Sequence, residues 1–239
     1  MVDASVKYHL AKYEESGTNL ILGEGRMVGR RTLEVKTRAG TTRRLTADRL
    51  FLNLGTHATI PDIPGLAAAR PMTHIEALEL DRVPSHLLIV GGGYVGLEFA
   101  QAMKRFGSEV TVLERGPQLL SREDQDISEA LLELLRDEGI KVLLRAEVRK
   151  VSGVSGESVR VEIGHEARER TIDASHILVA AGRTPNTRGI GLEDAGIELD
   201  ERGYIKVNDR LETTEPAFGR WVSAREVHNS LTYPMTMLL

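Results

Sequence analysis

The feature that most constrains the fold is a short apolar run that leads into a glycine-rich turn. Residues 87–90 (L-L-I-V) are all apolar and suit a strand that is buried on both faces. The next residues form a G-x-G-x-x-G loop whose glycines are Gly91, Gly93 and Gly96. Behind the loop, apolar residues recur at helical spacing up to Gly107, which is typical of a helix C-cap. A second apolar strand, residues 110–113, ends at Glu114. This order predicts a strand–loop–helix–strand unit that binds a dinucleotide.

Each glycine of the loop has its own physical role in such a unit. Gly91 allows a tight turn, Gly93 lets the backbone come close to a pyrophosphate, and Gly96 lets the helix pack closely on the strand. The helix N-terminus offers free N–H groups and the positive end of its dipole. Glu114 can hydrogen-bond an adenosine ribose, which favours NAD over NADP, although Arg115 could accept a 2′-phosphate. The simpler alternative is a tight turn beside a solvated acid.

Composition excludes several classes of function. The 239 residues suit one large domain or two small ones, and a net charge of −4 offers no basic surface for nucleic acid or membrane. The chain has no cysteine, which excludes disulfides, thiolate zinc sites and a cysteine redox couple. Its seven histidines show no metal-ligand spacing, so we expect no metal site. The start, M-V-D-A-S-V-K, lacks a signal peptide and no apolar run could span a bilayer, so we expect a soluble cytoplasmic protein.

The remaining pattern predicts further elements. Thr73 and Glu76 resemble a capping box for a short helix, and Gly139 would end an amphipathic helix that starts near Asp126. Gly17 would end an N-terminal helix. The predicted strands cover residues 19–28, 32–37, 43–48, 49–56, 141–144, 148–154, 158–163, 168–173 and 176–180. Those over 148–173 suit an antiparallel meander, and those over 49–56 and 176–180 suit buried strands.

Several separated segments resemble one family. They read F-L-N-L-G-T-H-A-T-I-P-D-I-P-G (51–65), V-G-G-G-Y-V-G-L-E-F-A (90–100), A-A-G-R-T-P-N (180–186) and G-Y-I-K-V-N-D-R-L-E-T-T (203–214). Together they resemble the class I pyridine nucleotide-disulfide oxidoreductases, and within these the mercuric-reductase-like and dihydrolipoamide-dehydrogenase-like group. The resemblance covers residues 1 to about 218.

The resemblance implies an α/β fold of the Rossmann FAD/NAD(P)-binding type, with a parallel sheet, an antiparallel meander and an incomplete flavin-domain lobe. Residues 1–83 would be the back half of an FAD-binding domain, 84–180 an NAD(P)-binding domain, and 181–218 a return segment to the FAD domain. In this family, hydride passes from NAD(P)H through FAD to a disulfide or another acceptor, and the enzymes are homodimers. The expected partner of this chain is a nicotinamide dinucleotide.

The resemblance also implies individual roles. Tyr94 would shield the nicotinamide pocket and Glu98 would touch the carboxamide end. Val148 would lie near the adenine, Gly182 beside the nicotinamide half, and Gly55 close to FAD. Each has an ordinary alternative, such as a helix-start aromatic for Tyr94 or a turn for Gly55. The predicted cofactor-binding residues are Gly91, Gly92, Gly93, Tyr94, Val95, Gly96, Glu98, Glu114, Arg115, Val148, Gly182 and Gly55. We predict no catalytic residue.

The chain also departs from the family pattern. The family's FAD glycine loop and C-x-x-x-x-C pair would precede Met1, and the interface domain with its His–Glu dyad would follow the C-terminus. From Gly219 onward the text leaves the family pattern. A one-base shift of the codons permits family-like text there; for example, Trp221 into Val222 can only give Gly. We therefore hypothesise that residues 219–239 are a frameshifted tail.

Three functional hypotheses remain open from the sequence. The chain is a fragment of an FAD- and NAD(P)H-dependent oxidoreductase that retains NAD(P)H binding but not FAD and is inactive alone. Alternatively, it is a non-catalytic module that binds a nucleotide or a partner chain, or it is a non-functional remnant. The acceptor of the parent reaction would have been bound by parts that the chain does not contain.

Overall fold

A computed structural model describes residues 2–215, which form two compact units. Unit 1 contains residues 2–57 and 184–215, and unit 2 contains residues 58–183. The hypothesised tail, residues 219–239, lies outside the described residues. Within residues 2–215, no helix is both long enough and apolar enough to cross a membrane.

Unit 1 is built on a small antiparallel sheet. Its elements are α1 (Val2–Glu15), β1 (Gly23–Gly29), β2 (Thr32–Thr37) and β3 (Thr42–Thr46), and the strand order is β1-β2-β3. Helix α1 ends before Gly17, which adopts a φ of +71° as predicted. The core beneath the sheet is apolar and joins both chain segments of the unit, with Met27, Leu33, Leu52, Leu192 and Ile205 among its members.

One predicted element of unit 1 is wrong. Residues 49–56 were expected to form a buried strand, and Leu50, Leu52 and Leu54 are indeed buried in the core of the unit. Yet residues 49–55 form no strand within the described chain, and the short strand β4 (Thr56–Ala58) begins only at the last residue of the predicted segment. Alternating burial requires only an extended backbone, whereas a strand also requires ladder hydrogen bonds to a neighbour.

Unit 2 contains the predicted parallel sheet. Its elements are α2 (His74–Leu78), β5 (His86–Val90), α3 (Tyr94–Arg105), β6 (Glu109–Leu113), α4 (Gln125–Asp137), β7 (Lys141–Leu143), β8 (Glu147–Val154), β9 (Ser158–His165), β10 (Arg168–Ala174) and β11 (His176–Val179). The parallel strands follow the order β11-β5-β6-β7, and the predicted meander is a second sheet of order β10-β9-β8. A further short strand, β12 (Arg183–Pro185), lies where the chain leaves unit 2. The predicted α/β fold is confirmed.

The apolar run at residues 87–90 is explained by layers on both faces of the sheet. Leu87 and Ile89 pack with residues of α3 and α4 such as Leu97 and Leu135. Leu88 and Val90 point to the other face and pack with the meander. Because successive side chains of a strand alternate between faces, a strand covered on both sides must be apolar throughout.

The predicted helix ends are also confirmed. Gly107 has a φ of +104° and its N–H donates to the carbonyl of Lys104, while Gly139 has a φ of +78° and donates to Arg136. Helix α2 begins with the predicted capping box, in which Thr73 accepts from Ile75 N–H and the Glu76 carboxylate accepts from Thr73 N–H at 2.7 Å.

Candidate functional site

The glycine loop lies where the strand order of the parallel sheet reverses. From β5 the chain continues to β6 and β7 on one side, and β11 is added on the other side. The loop follows the carboxyl end of β5, and Gly91 N–H donates to the carbonyl of Leu113 at the end of β6, at 2.9 Å. In open α/β sheets, ligands bind in the crevice at such a reversal, at the carboxyl ends of the strands.

The three glycines of the motif have different surroundings. A Cβ at Gly91 would lie 2.4 Å from the carbonyl oxygen of Ala180, and its φ is +114°. A Cβ at Gly96 would lie 2.3 Å from the carbonyl oxygen of Gly91. At Gly93, by contrast, a Cβ would meet no atom within 4 Å apart from those of its two chain neighbours. The protein itself therefore requires glycine at two positions and leaves the space open at the third.

Helix α3 begins directly at this open space. Gly93 is its N-cap residue, and no side chain caps the helix. The first-turn N–H groups of an α-helix have no partner within the helix, and the helix dipole favours negative charge there. An open volume beside an uncapped helix start has the shape and polarity that a pyrophosphate requires.

Glu114 follows β6 and reaches back to the glycine loop. Its Oε2 accepts from Gly92 N–H and its Oε1 accepts from Gly116 N–H, both at 2.6 Å. Each carboxylate oxygen has two lone pairs, so each can still accept from a hydroxyl group. The two backbone bonds thus orient the carboxylate and leave it able to bind a ribose.

Apart from Arg115, the segment after Glu114 was not predicted to contribute to the site. Residues 115–124, here called the β6–α4 loop, lie against the glycine loop. Leu120 N–H donates to the carbonyl of Gly92 at 3.0 Å, and the Leu119 side chain would lie 2.6 Å from a Cβ at Gly92. A side chain at position 92, which lies outside the three motif glycines, would therefore have to displace the side chain of Leu119. In the sequence, the only sign that the β6–α4 loop contributes to the site is that Gly116 lies two residues after Glu114.

Tyr94, the first residue of α3, is bound to this loop. Its hydroxyl donates a hydrogen bond to Oε1 of Glu123. This bond is the main reason why the pKa of Tyr94 is raised, and desolvation and the negative charge of Glu123 act in the same direction. Glu123 was not among the predicted site residues, and no local motif identified it.

The other predicted residues of unit 2 lie at varying distances from this centre. Arg115 is exposed and forms no ion pair within the described chain, and Glu98 is exposed on α3. Val95 is half-buried at the start of α3. Val148 packs with the core under the meander, and Gly182 is exposed after β11, where its carbonyl accepts from Thr59 N–H at 3.0 Å.

Gly55 lies in unit 1. It is buried with a φ of +64°, and its carbonyl accepts from Asn186 N–H at 3.2 Å. The side chain of Asn186 donates to the carbonyl of Leu54 at 2.9 Å and bonds Nδ1 of His57 at 2.7 Å through Oδ1. Asn186 therefore joins two segments of unit 1 that are far apart in sequence.

The described residues fit one of the two cofactors that the family resemblance implies, NAD(P)H, better than the other, FAD. Those around Gly93 fit the pyrophosphate of a dinucleotide, because the space in front of this glycine is open. Residues 2–215 contain no second unit of strand, glycine loop and helix that could hold the pyrophosphate of FAD. The same residues contain no cluster of His, Asp or Glu that could bind a metal ion.

Comparison with known proteins gives a consistent result. The family described as pyridine nucleotide-disulphide oxidoreductase matches residues 4–217. A mercuric reductase of Bacillus cereus is 35% identical over 201 residues, which are 84% of this chain and 31% of that protein. A glutathione reductase of Nostoc is 33% identical over 218 residues, which are 87% of this chain and 46% of that protein.

A solved structure is also similar. The flavoprotein disulfide reductase RclA from Escherichia coli, described as HOCl-induced, matches with a TM-score of 0.74 and 33% identity over 85% of this chain and 45% of that chain. The present chain thus spans between about a third and a half of the length of these relatives. The chain belongs to the pyridine nucleotide-disulphide oxidoreductase family, whose members use FAD and NAD(P)H.

Proposed function

We propose that this chain binds NAD(P)H through the glycine loop of unit 2, as the nucleotide-binding part of an FAD-dependent oxidoreductase. The observation that carries the proposal is the contrast among the glycines. At Gly91 and Gly96, backbone carbonyl oxygens occupy the position that a Cβ would need. The space in front of Gly93, at the uncapped start of α3, is open. A structural turn needs the first two glycines, but only a ligand needs the third.

The residues have distinct roles in this proposal. Gly93 and the first turn of α3 would bind the pyrophosphate, and the oriented carboxylate of Glu114 would accept hydrogen bonds from the adenosine ribose. Tyr94, Glu98, Val148 and Gly182 remain predicted contacts for the nicotinamide and adenine ends. NAD(P)H supplies a hydride when bound, and the role of this chain is to hold and orient it.

We further propose that NADH is preferred to NADPH. A 2′-phosphate would face the negative charge of Glu114, whose two backbone bonds prevent it from turning away. Arg115 is exposed beside it and offers a weaker, solvated counter-charge.

We propose that the chain does not catalyse hydride transfer by itself. The full reaction of the family requires FAD, and residues 2–215 contain no second strand–glycine loop–helix unit for its pyrophosphate. The sequence also contains no cysteine that could carry a redox-active disulfide. Retention of FAD with oxidation of NADH by the purified chain would contradict this part of the proposal. Binding of NADH without flavin, together with co-purification of a flavin-containing chain, would instead favour a non-catalytic module that acts with a partner.

The experiment that tests nucleotide binding compares the wild type with Gly93→Ala by fluorescence titration with NADH. The backbone at Gly93 has a φ of −85° and the added methyl group has free space, so the variant should fold normally. We expect a loss of NADH affinity on the order of tenfold or more, because the methyl group occupies the pyrophosphate space. Equal affinity of the two proteins, or no binding by the wild type, would refute the proposal.

A second titration tests the coenzyme preference. Glu114→Gln removes the charge and keeps one of the two acceptors for the Gly92 and Gly116 N–H groups, so NADPH affinity should rise relative to NADH affinity. Arg115→Ala serves as the control and should lower only NADPH binding. If Glu114→Gln leaves the ratio unchanged, Glu114 does not select the coenzyme.

The hypothesis of a frameshifted tail remains a proposal. It is supported by the extent of the family match, which ends at residue 217. Sequencing the gene around the codon of Gly219 tests it, because a single-base change should restore family-like text.

A further inference from the structure

The β6–α4 loop places a carboxylate against the start of α3. Tyr94 is the residue that follows the open Gly93, and its hydroxyl donates to Glu123. Both side chains are half-buried. Glu123 belongs to no nucleotide-binding motif that the sequence shows, so its contact with the glycine loop region needs its own explanation.

The backbone around Glu123 is fixed relative to the glycine loop. Leu120 N–H donates to the carbonyl of Gly92 at 3.0 Å, and Glu123 N–H donates to the carbonyl of Leu120 at 2.8 Å. The side-chain amide of Gln118 donates to the carbonyl of Glu123 at 3.1 Å. The carboxylate is therefore held at a defined distance from α3 rather than on a freely moving loop.

A tyrosine at a helix start has more than one accessible χ1 rotamer. A bond from its hydroxyl to a fixed acceptor selects the rotamer that reaches the acceptor. Without this bond, the ring is less restricted beside Gly93, where an added Cβ would meet no atom within 4 Å apart from those of its two chain neighbours. That space is the one in which the pyrophosphate would lie.

We propose that Glu123 is a positioning residue that holds the Tyr94 ring to one side of the α3 N-terminus, so that the dinucleotide can reach Gly93. This inference rests on the proposed binding of NAD(P)H at the same loop. Glu123 acts through Tyr94 and makes no contact with the nucleotide itself.

A positioning role and a simple charge effect of Glu123 change NADH affinity in opposite directions when the carboxylate is removed. A carboxylate near a pyrophosphate repels it, so removing the charge of Glu123 should strengthen NADH binding if the residue is only a surface acid. If Glu123 positions Tyr94, its removal should weaken binding although the repulsion is relieved. The sign of the change therefore separates the two roles.

The test is a fluorescence titration of NADH with the whole chain and five variants. We expect Glu123→Ala and Tyr94→Phe each to weaken binding by about two- to tenfold, the range for one net hydrogen bond. The double variant should bind no more weakly than either single one, because both remove the same bond. Glu123→Gln keeps a carbonyl acceptor and removes the charge, so it should bind NADH at least as tightly as the wild type. Glu129→Ala removes an exposed charge from α4 and is the matched control for the change in net charge.

A second measurement reports the bond without nucleotide. In an ultraviolet titration of phenolate formation, Tyr94 should ionise at lower pH in Glu123→Ala than in the wild type, and Tyr94→Phe identifies its contribution among the 5 tyrosines. Equal or tighter NADH binding by Glu123→Ala, with a wild type that binds, would overturn this inference and leave the proposed function intact. A wild type that binds neither NADH nor NADPH would overturn both.

Discussion

The two units of this chain differ in how completely their elements are paired. In unit 2, every residue of β11 is buried, and β5 lies between two parallel neighbours, β11 and β6. In unit 1, α1 is exposed along almost its whole length, including the apolar Val6, Tyr8 and Leu10. The buried segment 49–55 of the same unit has no strand ladder within the described chain.

The difference follows from how the chain builds each unit. Unit 2 is one continuous stretch, residues 58–183. Strands β5, β6 and β7 are joined through one helix each and the meander strands through tight turns, whereas β11 returns to β5 after the meander. Unit 1 combines two stretches that are separated by the whole of unit 2. Its core is buried, but part of its backbone lacks the regular pairing that makes a sheet rigid. We therefore expect core substitutions to lower the unfolding free energy more in unit 2 than in unit 1.

The largest effect is expected for a core truncation in the central strand. Leu88→Ala should cost about 2–5 kcal/mol of unfolding free energy, because a strand paired on both sides cannot move to fill the cavity. Leu52→Ala, equally buried in unit 1, should cost the low end of this range because its segment is free of ladder bonds and can relax. Urea unfolding of both variants measures the difference. If Leu52→Ala is as costly as Leu88→Ala, the contrast between the units fails.

A smaller loss is expected from Gly96→Ala. The added methyl group would lie 2.3 Å from a backbone carbonyl oxygen, so α3 must shift from β5, at a cost of about 1–3 kcal/mol. Gly93→Ala, three residues earlier, should leave the unfolding midpoint close to that of the wild type. Thermal unfolding of the pair tests whether the glycines divide into a structural and a ligand-binding class; matching losses would show that they do not.

Loss of the capping box should have a still smaller effect. Thr73→Ala removes the acceptor for Ile75 N–H and should destabilise unit 2 by about 1 kcal/mol. Thr73→Ser retains the hydroxyl and should restore most of this stability. The measurement is the urea midpoint of the three proteins, and an unchanged midpoint for Thr73→Ala would show that α2 does not contribute to the stability of unit 2.

The weakest effect concerns pH. His74 and His176, both buried in unit 2, have a lowered pKa, mainly because burial disfavours the charged ring and secondarily because Arg183 and Arg82, respectively, lie near. The unfolded chain therefore binds protons first as the pH falls below about 6.5. The free energy of unfolding should therefore be highest above about pH 6.5 and should fall as the pH is lowered towards about 5. His176→Leu should show a shallower decline in urea midpoints between pH 7.5 and pH 5.5 in the same buffer series; an equal slope would exclude His176 as a cause.

The sequence by itself determined the elements that depend on neighbouring residues. The strand at 87–90, the helix ends at Gly107 and Gly139, and the capping box at Thr73 follow from side-chain period, glycine conformation and local hydrogen bonds. The family motifs indicated the nucleotide-binding residues, but their roles remain predictions. The predicted buried strand over 49–56 was wrong for residues 49–55, because a burial pattern cannot show whether a neighbouring strand is present.

Only the tertiary structure decided which atoms surround each position of the site. It brings Gly116 to the carboxylate of Glu114 and Glu123 to the hydroxyl of Tyr94. It also shows that Gly91 and Gly96 are enclosed while Gly93 is open. These relations depend on how a loop after β6 folds back on a loop after β5. Hydrogen-bond direction and free volume arise from that packing, and no local sequence pattern encodes them.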